Sequence, residues 1–300
     1  MSKIPGSELA AIVSGARRKV EVLSRSFPSR SGLFPERLSQ AADYIELELV
    51  GLGYEKIRRQ HFEVRGKRYS NLVVELEGKN PTRAGIIIGA HYDTVVGTPG
   101  ADDNASGVAG LLELARLLRN YSNTRPIQLV AYANEEPPYF HTAHMGSRQH
   151  AKSLKDAGRK VLVMMALEML GYGGEHMKQV YPFPVMRRLG GYPKHGDFIS
   201  IVGNLRSRKM LHVVREAMRQ GCGVSVESLA APGFLPPLFL SDHSSYWKYN
   251  FPALMITDTA FLRNPHYHQP TDTAETLNYD FLAEVVNGVY AAVLTLDALE

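Results

Sequence analysis

Three observations predict an α/β fold with a central mixed β-sheet flanked by helices on both faces. Short apolar segments such as "AGIIIGAHYD" and "PIQLVAYA" have the composition of buried strands. Segments with apolar residues at helical spacing, such as "ASGVAGLLELARLLRN", come between them. The regular alternation of these two kinds of segment is typical of one sheet with helices packed on each side.

The individual elements follow from the same patterns, taken in chain order. Two amphipathic helices come first, at about Ser7–Ser26 and Glu36–Leu52, and two alternating strands follow within residues 54–78. The later predicted elements are a strand at 84–93, a helix at 105–120, a strand at 126–133, a helix at 145–155, strands at 160–170 and 197–203, a helix at 207–221, strands at 224–229 and 253–258, and a C-terminal helix.

The sequence contains no internal repeat or linker that would divide the chain. We therefore predict a single catalytic domain over residues 1–300, with an N-terminal helical segment of about residues 1–52 packed on it. One stretch, Gly171–Gly196, is rich in Gly, Pro and Tyr and interrupts the alternation of strands and helices. We expect this excursion to shape specificity.

Composition excludes several classes of protein. The hydrophobic content of 44% and charged content of 21% are ordinary for a globular protein. The net charge of +4 is spread over short basic runs, which argues against a nucleic-acid partner. We see neither an apolar segment of membrane-spanning length nor a signal peptide, and therefore expect no membrane partner. The single cysteine, Cys222, excludes an intrachain disulfide and fits a reducing, cytoplasmic compartment.

Polar clusters follow the predicted strands, where ligands bind in folds of this kind. In "GAHYDT", His91 and Asp93 are two residues apart and face the same side of a strand, so that Asp93 can orient the imidazole of His91. In "GADDNASG", Asp102, Asp103 and Asn104 form either a turn with a helix cap or a site where one carboxylate bridges two cations.

The other clusters contain the remaining candidate ligands. Glu135 and Glu136 directly follow a strand and are either a solvated pair or a metal ligand beside a residue that holds water. Glu168 lies within the apolar strand "VLVMMALEML", where a lone carboxylate is costly without a cation. His268, in "NPHYHQPTDT", is either a surface residue or a ligand.

Together the clusters offer imidazole and carboxylate ligands and no thiolate, a set that suits zinc or a related divalent ion. A carboxylate bridge would set two such ions roughly 3.5–4 Å apart. Cations at that spacing would make the adjacent charges of Glu135 and Glu136 tolerable.

In order along the chain, the motifs "GAHYDT", "GADDNASGVAGLLELARLL", "ANEEPPYF", "MGS", "LEMLGY", "SDHSSYW" and "YHQPTDT" resemble those of the co-catalytic zinc aminopeptidase family. That family also includes glutamate carboxypeptidase II, the protease-like domain of the transferrin receptor and glutaminyl cyclase. The resemblance extends from about Asn71 to the C-terminus and implies the zinc-exopeptidase fold. It also implies two zinc ions per chain, with cobalt or manganese able to substitute.

The resemblance assigns the metal ligands residue by residue. It implies that His91 and Glu168 hold one ion, that Glu136 and His268 hold the other, and that Asp102 bridges both. Many members of the family have Asp where this chain has Glu168.

The resemblance also implies roles for residues that do not bind metal. Glu135 would be the general acid/base, Asp93 would be the partner of His91, and Tyr267 would polarise the substrate carbonyl. Asp103 would lie beyond an unusual peptide bond, away from the metals.

These residues predict metal-dependent hydrolysis of a peptide or small amide, with an aminopeptidase that removes N-terminal residues as the favoured function. A carboxypeptidase or another amidohydrolase is the closest alternative, although the sequence reveals no arginine cluster for a substrate carboxylate. A mono-zinc cyclotransferase like glutaminyl cyclase and a receptor-like domain are further alternatives. The sequence does not predict the oligomeric state.

Overall fold

A central eight-stranded sheet organises the protein, in a computed structural model that describes residues 4–181, 191–232 and 238–300. The sheet has the strand order β1-β2-β4-β3-β5-β10-β8-β9, and β6 and β7 form a separate pair. The strands are β1 (Ile57–Val64), β2 (Lys67–Leu76), β3 (Gly85–His91), β4 (Ile127–Tyr132), β5 (Val161–Glu168), β6 (Gly174–Lys178), β7 (His195–Gly196), β8 (Phe198–Asn204), β9 (Ser225–Ala231) and β10 (Ala253–Thr257).

The sheet is mixed, as predicted. Its four central strands, β4, β3, β5 and β10, are mutually parallel, because β3 pairs in parallel with β4 and β5, and β5 with β10. The junctions on either side, β2 with β4 and β10 with β8, are antiparallel. The carboxyl ends of the four central strands therefore meet at one edge of the sheet, and the loops that leave this edge are brought together.

Helices cover both faces of the sheet, which confirms the predicted fold class. They are α1 (Gly6–Ser26), α2 (Pro35–Gly51), α3 (Gly107–Leu118), α4 (Gly146–Asp156), α5 (Arg208–Gly221), α6 (His243–Trp247) and α7 (Tyr279–Ala298). In β3, Ile86 and Ile88 belong to a large core shared with α1, α2, α3, α5 and α7. The intervening Ile87 points to a second core that contains Ala151 and Leu154 of α4.

The N-terminal helices share the larger core with the sheet. Ile12 and Val20 of α1 and Ile45 of α2 are fully buried there. A buried ion pair between Lys19 Nζ and Glu113, 2.6 Å long, ties α1 to α3. This packing agrees with a helical segment lying on the catalytic domain, while the extent of a single domain over residues 1–300 stays a prediction.

Within the described residues, α7 is the one helix long and apolar enough to cross a membrane. Its apolar window is 72% buried against the rest of the protein, as expected for a core helix. The cytoplasmic location remains a prediction. The predicted excursion at Gly171–Gly196 contains the short β6–β7 pair, and its residues 182–190 lie outside the described part of the chain.

Candidate metal centre

The candidate site lies at the edge where the central strands end. His91 is the last residue of β3, and Glu168 is the last residue of β5. Glu135 and Glu136 follow β4 within four residues, and His268 lies in the loop that follows β10. The parallel arrangement of these strands thus brings together side chains that are up to 177 residues apart in sequence, from His91 to His268.

One group of potential ligand atoms consists of His91, Asp103 and Glu168, and all three residues are buried. His91 Nε2 lies 3.4 Å from Asp103 Oδ1 and 3.4 Å from Glu168 Oε2. The ligand atoms of the group are all within 4.8 Å of one another. Glu168 therefore places a carboxylate oxygen next to His91 Nε2, although its side chain is longer than that of the aspartate found in many members of the family.

The second group consists of Asp103, Glu136 and His268. His268 Nε2 lies 3.1 Å from Asp103 Oδ2 and 3.4 Å from Glu136 Oε1. Asp103 belongs to both groups and directs one carboxylate oxygen towards each histidine. A shared carboxylate of this kind is the geometry required to bridge two cations.

The structure corrects the predicted bridge, because Asp102 belongs to neither group and Asp103 belongs to both. The carboxylate of Asp102 faces away from the histidines, where Oδ1 accepts a hydrogen bond from Gly171 N (2.9 Å) and Oδ2 accepts one from Asn264 Nδ2 (2.7 Å). A cis peptide bond joins Asp103 to Asn104, so Asp103 precedes the unusual bond rather than following it. The expectation that Asp103 lies away from the metals is therefore wrong in this geometry.

Glu135 lies beside the two groups without belonging to either. Its Oε2 is 4.0 Å from His91 Nε2, and its buried Oε1 has no hydrogen-bond partner. Burial raises the pKa of Glu135 well above its usual value; the positive charge of His91 opposes this effect, and the charges of Glu136 and Glu168 reinforce it. A buried carboxyl group with a raised pKa is suited to accept and release a proton.

Two further aspartates hold the acidic loops in place. The carboxylate of Asp93 accepts hydrogen bonds from the backbone N–H groups of Glu135 and Glu136, both at 3.0 Å. Its oxygen is 3.5 Å from His91 Nδ1, which lies closer, at 3.1 Å, to the backbone carbonyl of Asp93. Asp93 thus neighbours His91 as predicted, and it also fixes both glutamates, which the sequence did not indicate.

Asp272 supports the other acidic loop in the same way. Its two carboxylate oxygens accept hydrogen bonds from Asp102 N (2.8 Å) and Asp103 N (3.1 Å). Each adjacent acidic pair in the site is therefore held through its backbone by an aspartate distant in sequence. This arrangement leaves the side chains of Asp103, Glu135 and Glu136 available for other partners.

Tyr267 lies close to the site as predicted. Its ring stacks on the ring of His268, with the centroids 3.8 Å apart and the planes inclined by 18°. Burial raises the pKa of Tyr267 far above its usual value, and the charges of Asp103, Glu136 and Glu135 raise it further. The phenol therefore keeps its proton and remains a hydrogen-bond donor beside the carboxylates.

The protonation of the site shows an excess of negative charge that calls for cations. Burial alone would lower the pKa of His268, but Asp103 and Glu136 raise it to about 10. Burial raises the pKa of Glu136 to about 8, and the charge of Asp103 adds to that effect. Burial opposes the charge of Asp103, yet the two histidines hold its pKa well below the usual value.

The potential ligand atoms of the site are arranged as metal ions require. Asp103 Oδ1, Glu136 Oε1 and His268 Nε2 are buried and lack a partner with hydrogen-bond geometry, although ion-pair distances of 3.1–3.4 Å separate them from neighbouring atoms in the site. Atoms that approach one another without bonding are expected where they converge on a common cation. Imidazole nitrogen and carboxylate oxygen are ligands that zinc accepts.

Several residues that support the site were missed by the sequence interpretation. Ser241 donates a 2.6 Å hydrogen bond to Glu168 Oε2. The neighbouring Asp242 is 1% exposed, and neither of its carboxylate oxygens has a hydrogen-bond partner among the described residues. Both belong to "SDHSSYW", a motif that helped to identify the family. The sequence interpretation assigned this motif no role, although its presence could have indicated that these residues lie at the site.

Arg30, in the segment between α1 and α2, was also missed. Its fully buried guanidinium donates to the backbone carbonyls of Tyr92 (2.7 Å), Leu23 (3.2 Å), Pro99 (2.8 Å) and Gly100 (2.7 Å). Tyr92 lies between His91 and Asp93, and Gly100 lies just before the acidic turn. The N-terminal segment therefore helps to position two of the loops at the site, and no local sequence signal marks this role.

The class of protein that this fold and site define is supported by comparison with known families. The model of peptidase family M28 matches residues 71–293, and the chain belongs to this family. The predicted enzyme class, a metal-dependent peptidase, is thereby confirmed.

Curated relatives support the same class. An uncharacterized protein of Escherichia coli strain K12, YfbL, is 42% identical over 298 residues, which cover 96% of this chain and 90% of YfbL. A probable leucine aminopeptidase of Trichophyton verrucosum is 28% identical over 231 residues, which cover 71% of this chain. The chain spans about half the length of that second relative, 54%.

Solved structures share the fold. The zinc aminopeptidase BSAP of Bacillus subtilis superposes with a TM-score of 0.73 at 15% identity, covering 94% of each chain. A glutaminyl cyclase of Tannerella forsythia superposes with a TM-score of 0.67 at 19% identity, covering 96% of this chain and 99% of the cyclase. At these identities the likeness establishes the fold, and the site has to distinguish the chemistries.

Proposed function

We propose that this chain is a di-zinc aminopeptidase, which removes the N-terminal residue of a peptide. The observation that carries the proposal is the sharing of Asp103 between two ligand groups, with Glu135 buried beside them and outside both. Two ligand groups joined by one carboxylate, with a separate carboxyl group of raised pKa, provide the parts that two-metal amide hydrolysis requires.

Each side chain has a proposed position relative to the metal ions. His91 and Glu168 would hold one ion, Glu136 and His268 would hold the other, and Asp103 would contact both. When bound, such ions supply Lewis acidity, which polarises a carbonyl group and makes water a stronger acid. Cobalt or manganese would accept the same ligand set, although the related structure from Bacillus subtilis is that of a zinc aminopeptidase.

The residues outside the ligand groups would handle protons and orient the substrate. Glu135 would accept a proton on its free Oε1 or Oε2 from the attacking water and return it to the leaving amine. Tyr267 would donate its phenolic proton in a hydrogen bond to the substrate carbonyl oxygen, since its raised pKa keeps it protonated. Asp93 would keep Glu135 in place through the backbone hydrogen bond at 3.0 Å.

The charge of the site favours a substrate with a free α-amino group. The carboxyl groups of Glu135 and Asp242 are buried at the site, belong to neither ligand group and have no ion pair with a lysine or arginine among the described residues. A substrate ammonium group would compensate this negative charge. The name of the Trichophyton verrucosum relative agrees with this choice.

A mono-zinc cyclotransferase is less well supported, even though a glutaminyl cyclase shares the fold. The second ligand group, Asp103, Glu136 and His268, is complete in this chain. A receptor-like domain without activity is disfavoured for the same reason. A carboxypeptidase remains the nearest alternative and differs in which end of the substrate is bound.

Blocking the substrate amine is expected to reduce hydrolysis. The zinc-loaded protein should cleave leucyl-p-nitroanilide, and N-acetylation of this substrate should lower kcat/KM by about 10- to 150-fold, because a charged hydrogen bond contributes about 1.5–3 kcal/mol. Initial rates with both substrates measure the effect. Equal cleavage of the two would contradict an aminopeptidase, and cleavage of N-blocked peptides from the C-terminal end would favour the carboxypeptidase.

Zinc reconstitution is expected to reach about two ions per chain, as the two-metal arrangement requires. A chelator should then abolish turnover and leave the secondary structure unchanged, because the hydrophobic cores do not depend on the metals. Elemental analysis and circular dichroism measure the two results. A plateau at one ion would point to the cyclase-like alternative, and unfolding on chelation would indicate a structural site.

A further inference from the structure

Arg148, in the first turn of α4, is a buried cation without a partner. The residue is 8% exposed, and its Nε and Nη2 atoms are buried and make no hydrogen bond with any part of the chain that the structure describes. No ion pair within the described residues includes Arg148. The third guanidinium nitrogen, Nη1, is the part of the guanidinium that reaches the surface.

A buried arginine without a partner is expected to lower the stability of the folded protein. Burial lowers the pKa of Arg148, and only the phenol of Tyr249 opposes that effect. Buried charges are normally paired, and departures from this rule concentrate at functional sites, where a ligand supplies the missing partner. The missing partner of Arg148 is an anion.

Arg148 lies near a histidine of the loop that precedes α4. The charges of Arg148 and Lys248 both lower the pKa of His141, after the larger effect of burial, so each of the two cations lies within electrostatic range of His141. His141 packs against the ring of Phe239 with centroids 5.2 Å apart. Arg148 also lies at the N-terminal end of α4, where the helix dipole favours negative charge.

The first turn of α4 is bonded to two segments that neighbour residues of the metal centre in the chain. Gly146 N donates a 2.7 Å hydrogen bond to the carbonyl of Ala133, two residues before Glu135. The hydroxyl groups of Ser147 and Ser245 are 2.8 Å apart, and Ser245 follows the segment whose Ser241 binds Glu168. Arg148 therefore belongs to a turn held between the segment that leads to Glu135 and the helix that follows Ser241.

We propose that Arg148 binds a carboxylate of the peptide substrate, so that the enzyme prefers short peptides with a free C-terminal carboxylate over the corresponding amides. This inference rests on the proposed aminopeptidase function. The guanidinium offers a planar fork of donors that matches a carboxylate, and Nη1 gives the side from which the ligand enters. The acidic metal centre and the guanidinium of Arg148 would then bind opposite charges at the two ends of a dipeptide or tripeptide.

The test compares leucylglycine with leucylglycinamide, which differ only in the terminal carboxylate. The zinc-loaded wild-type protein should have a higher kcat/KM for leucylglycine. In Arg148→Gln the ratio of the two kcat/KM values should fall by on the order of 10–100-fold, mainly through KM, because a charge-assisted fork is lost. Arg148→Lys keeps the charge without the fork and should show an intermediate ratio.

A matched control removes one positive charge elsewhere. Arg68 is exposed in β2 and makes no ion pair with any residue that the structure describes, so Arg68→Gln should keep the wild-type ratio. If Arg148→Gln and Arg68→Gln have the same ratio as the wild type, the proposal is overturned.

Binding to the metal-free protein separates this inference from the proposed function, because it requires no turnover. Leucylglycine should raise the Tm of the metal-free wild-type protein more than leucylglycinamide does, and this difference should disappear in Arg148→Gln. Failure of all peptide hydrolysis would overturn the proposed function. The binding experiment would still show whether Arg148 binds the peptide carboxylate. A rise in Tm with inorganic phosphate and none with leucylglycine would overturn the assignment to a substrate carboxylate.

Discussion

Glu135→Gln is expected to lower turnover by about 10²–10⁴-fold, the usual effect of losing a general acid/base, while fold and metal content stay unchanged. An amide cannot accept the proton that Glu135 would take from water. Glu135 belongs to neither ligand group, which is why the variant should keep its metal. The measurement is kcat for a free-amine substrate together with zinc content by elemental analysis.

Glu136→Gln is the matched control, since it removes the same charge one residue further along. Glu136 Oε1 is 3.4 Å from His268 Nε2 within the second ligand group, and a neutral amide is a poor replacement for an anionic ligand. Zinc content should therefore fall, and activity should partly recover at high zinc. Recovery should not occur in Glu135→Gln. If the two variants respond alike to zinc, or if zinc restores only Glu135→Gln, the roles assigned to the two glutamates are wrong.

Much of the fold could be predicted because the apolar residues of the core recur at the spacings typical of strands and helices. The run "GIIIGAH" predicts a strand buried on both faces, and the structure places Ile86 and Ile88 in one core and Ile87 in the other. The predicted helices at Ser7–Ser26 and Glu36–Leu52 agree with the observed helices to within about one residue. The strand order could not be predicted, because pairing depends on contacts between distant segments.

The edge of the sheet at which the site lies was predictable for a related reason. The carboxyl ends of parallel strands share an edge, so His91 at the end of β3 and Glu168 at the end of β5 had to lie at the same edge of the sheet. The resemblance to a family further implied that Glu136, and not the adjacent Glu135, binds the same ion as His268. The structure brings Glu136 and His268 together as the resemblance implied.

The choice between Asp102 and Asp103 could not be made from the sequence. The two residues lie in an irregular turn, Ala101–Ser106, in which Asp103 (φ −102°, ψ 90°) leaves the helical region. Their side chains consequently point in different directions, one to Gly171 and Asn264 and the other to the two histidines. Local sequence indicates such a turn but not the direction of each side chain.

The supporting hydrogen bonds were equally hidden from the sequence. Asp272 binds the backbone of residues that lie 169 and 170 positions earlier in the chain. Arg30 reaches carbonyl groups up to 70 positions away. Arg30 belongs to no recognised motif. Asp272 lies in the motif "YHQPTDT", but that motif does not indicate its role, because both residues act on backbone groups that every residue carries.

Asp103→Asn is expected to have the largest effect on metal binding, since Asp103 contributes to both ligand groups. Replacing one carboxylate oxygen with an amide nitrogen removes an anionic ligand from the only residue that the groups share. Zinc content should fall from about two ions to below one per chain, with loss of turnover that high zinc does not restore. Zinc titration with elemental analysis and parallel rate measurements test this.

Asp102→Asn provides the comparison that separates the two neighbouring aspartates. Asp102 accepts hydrogen bonds from Gly171 N and Asn264 Nδ2, so an amide in its place would leave one buried donor without an acceptor. The expected cost is a decrease of about 1–3 kcal/mol in the free energy of unfolding. Zinc content should nevertheless remain at about two ions per chain, because Asp102 belongs to neither ligand group. Retention of both ions in Asp103→Asn, together with their loss in Asp102→Asn, would restore Asp102 as the bridging ligand and refute the geometry described above.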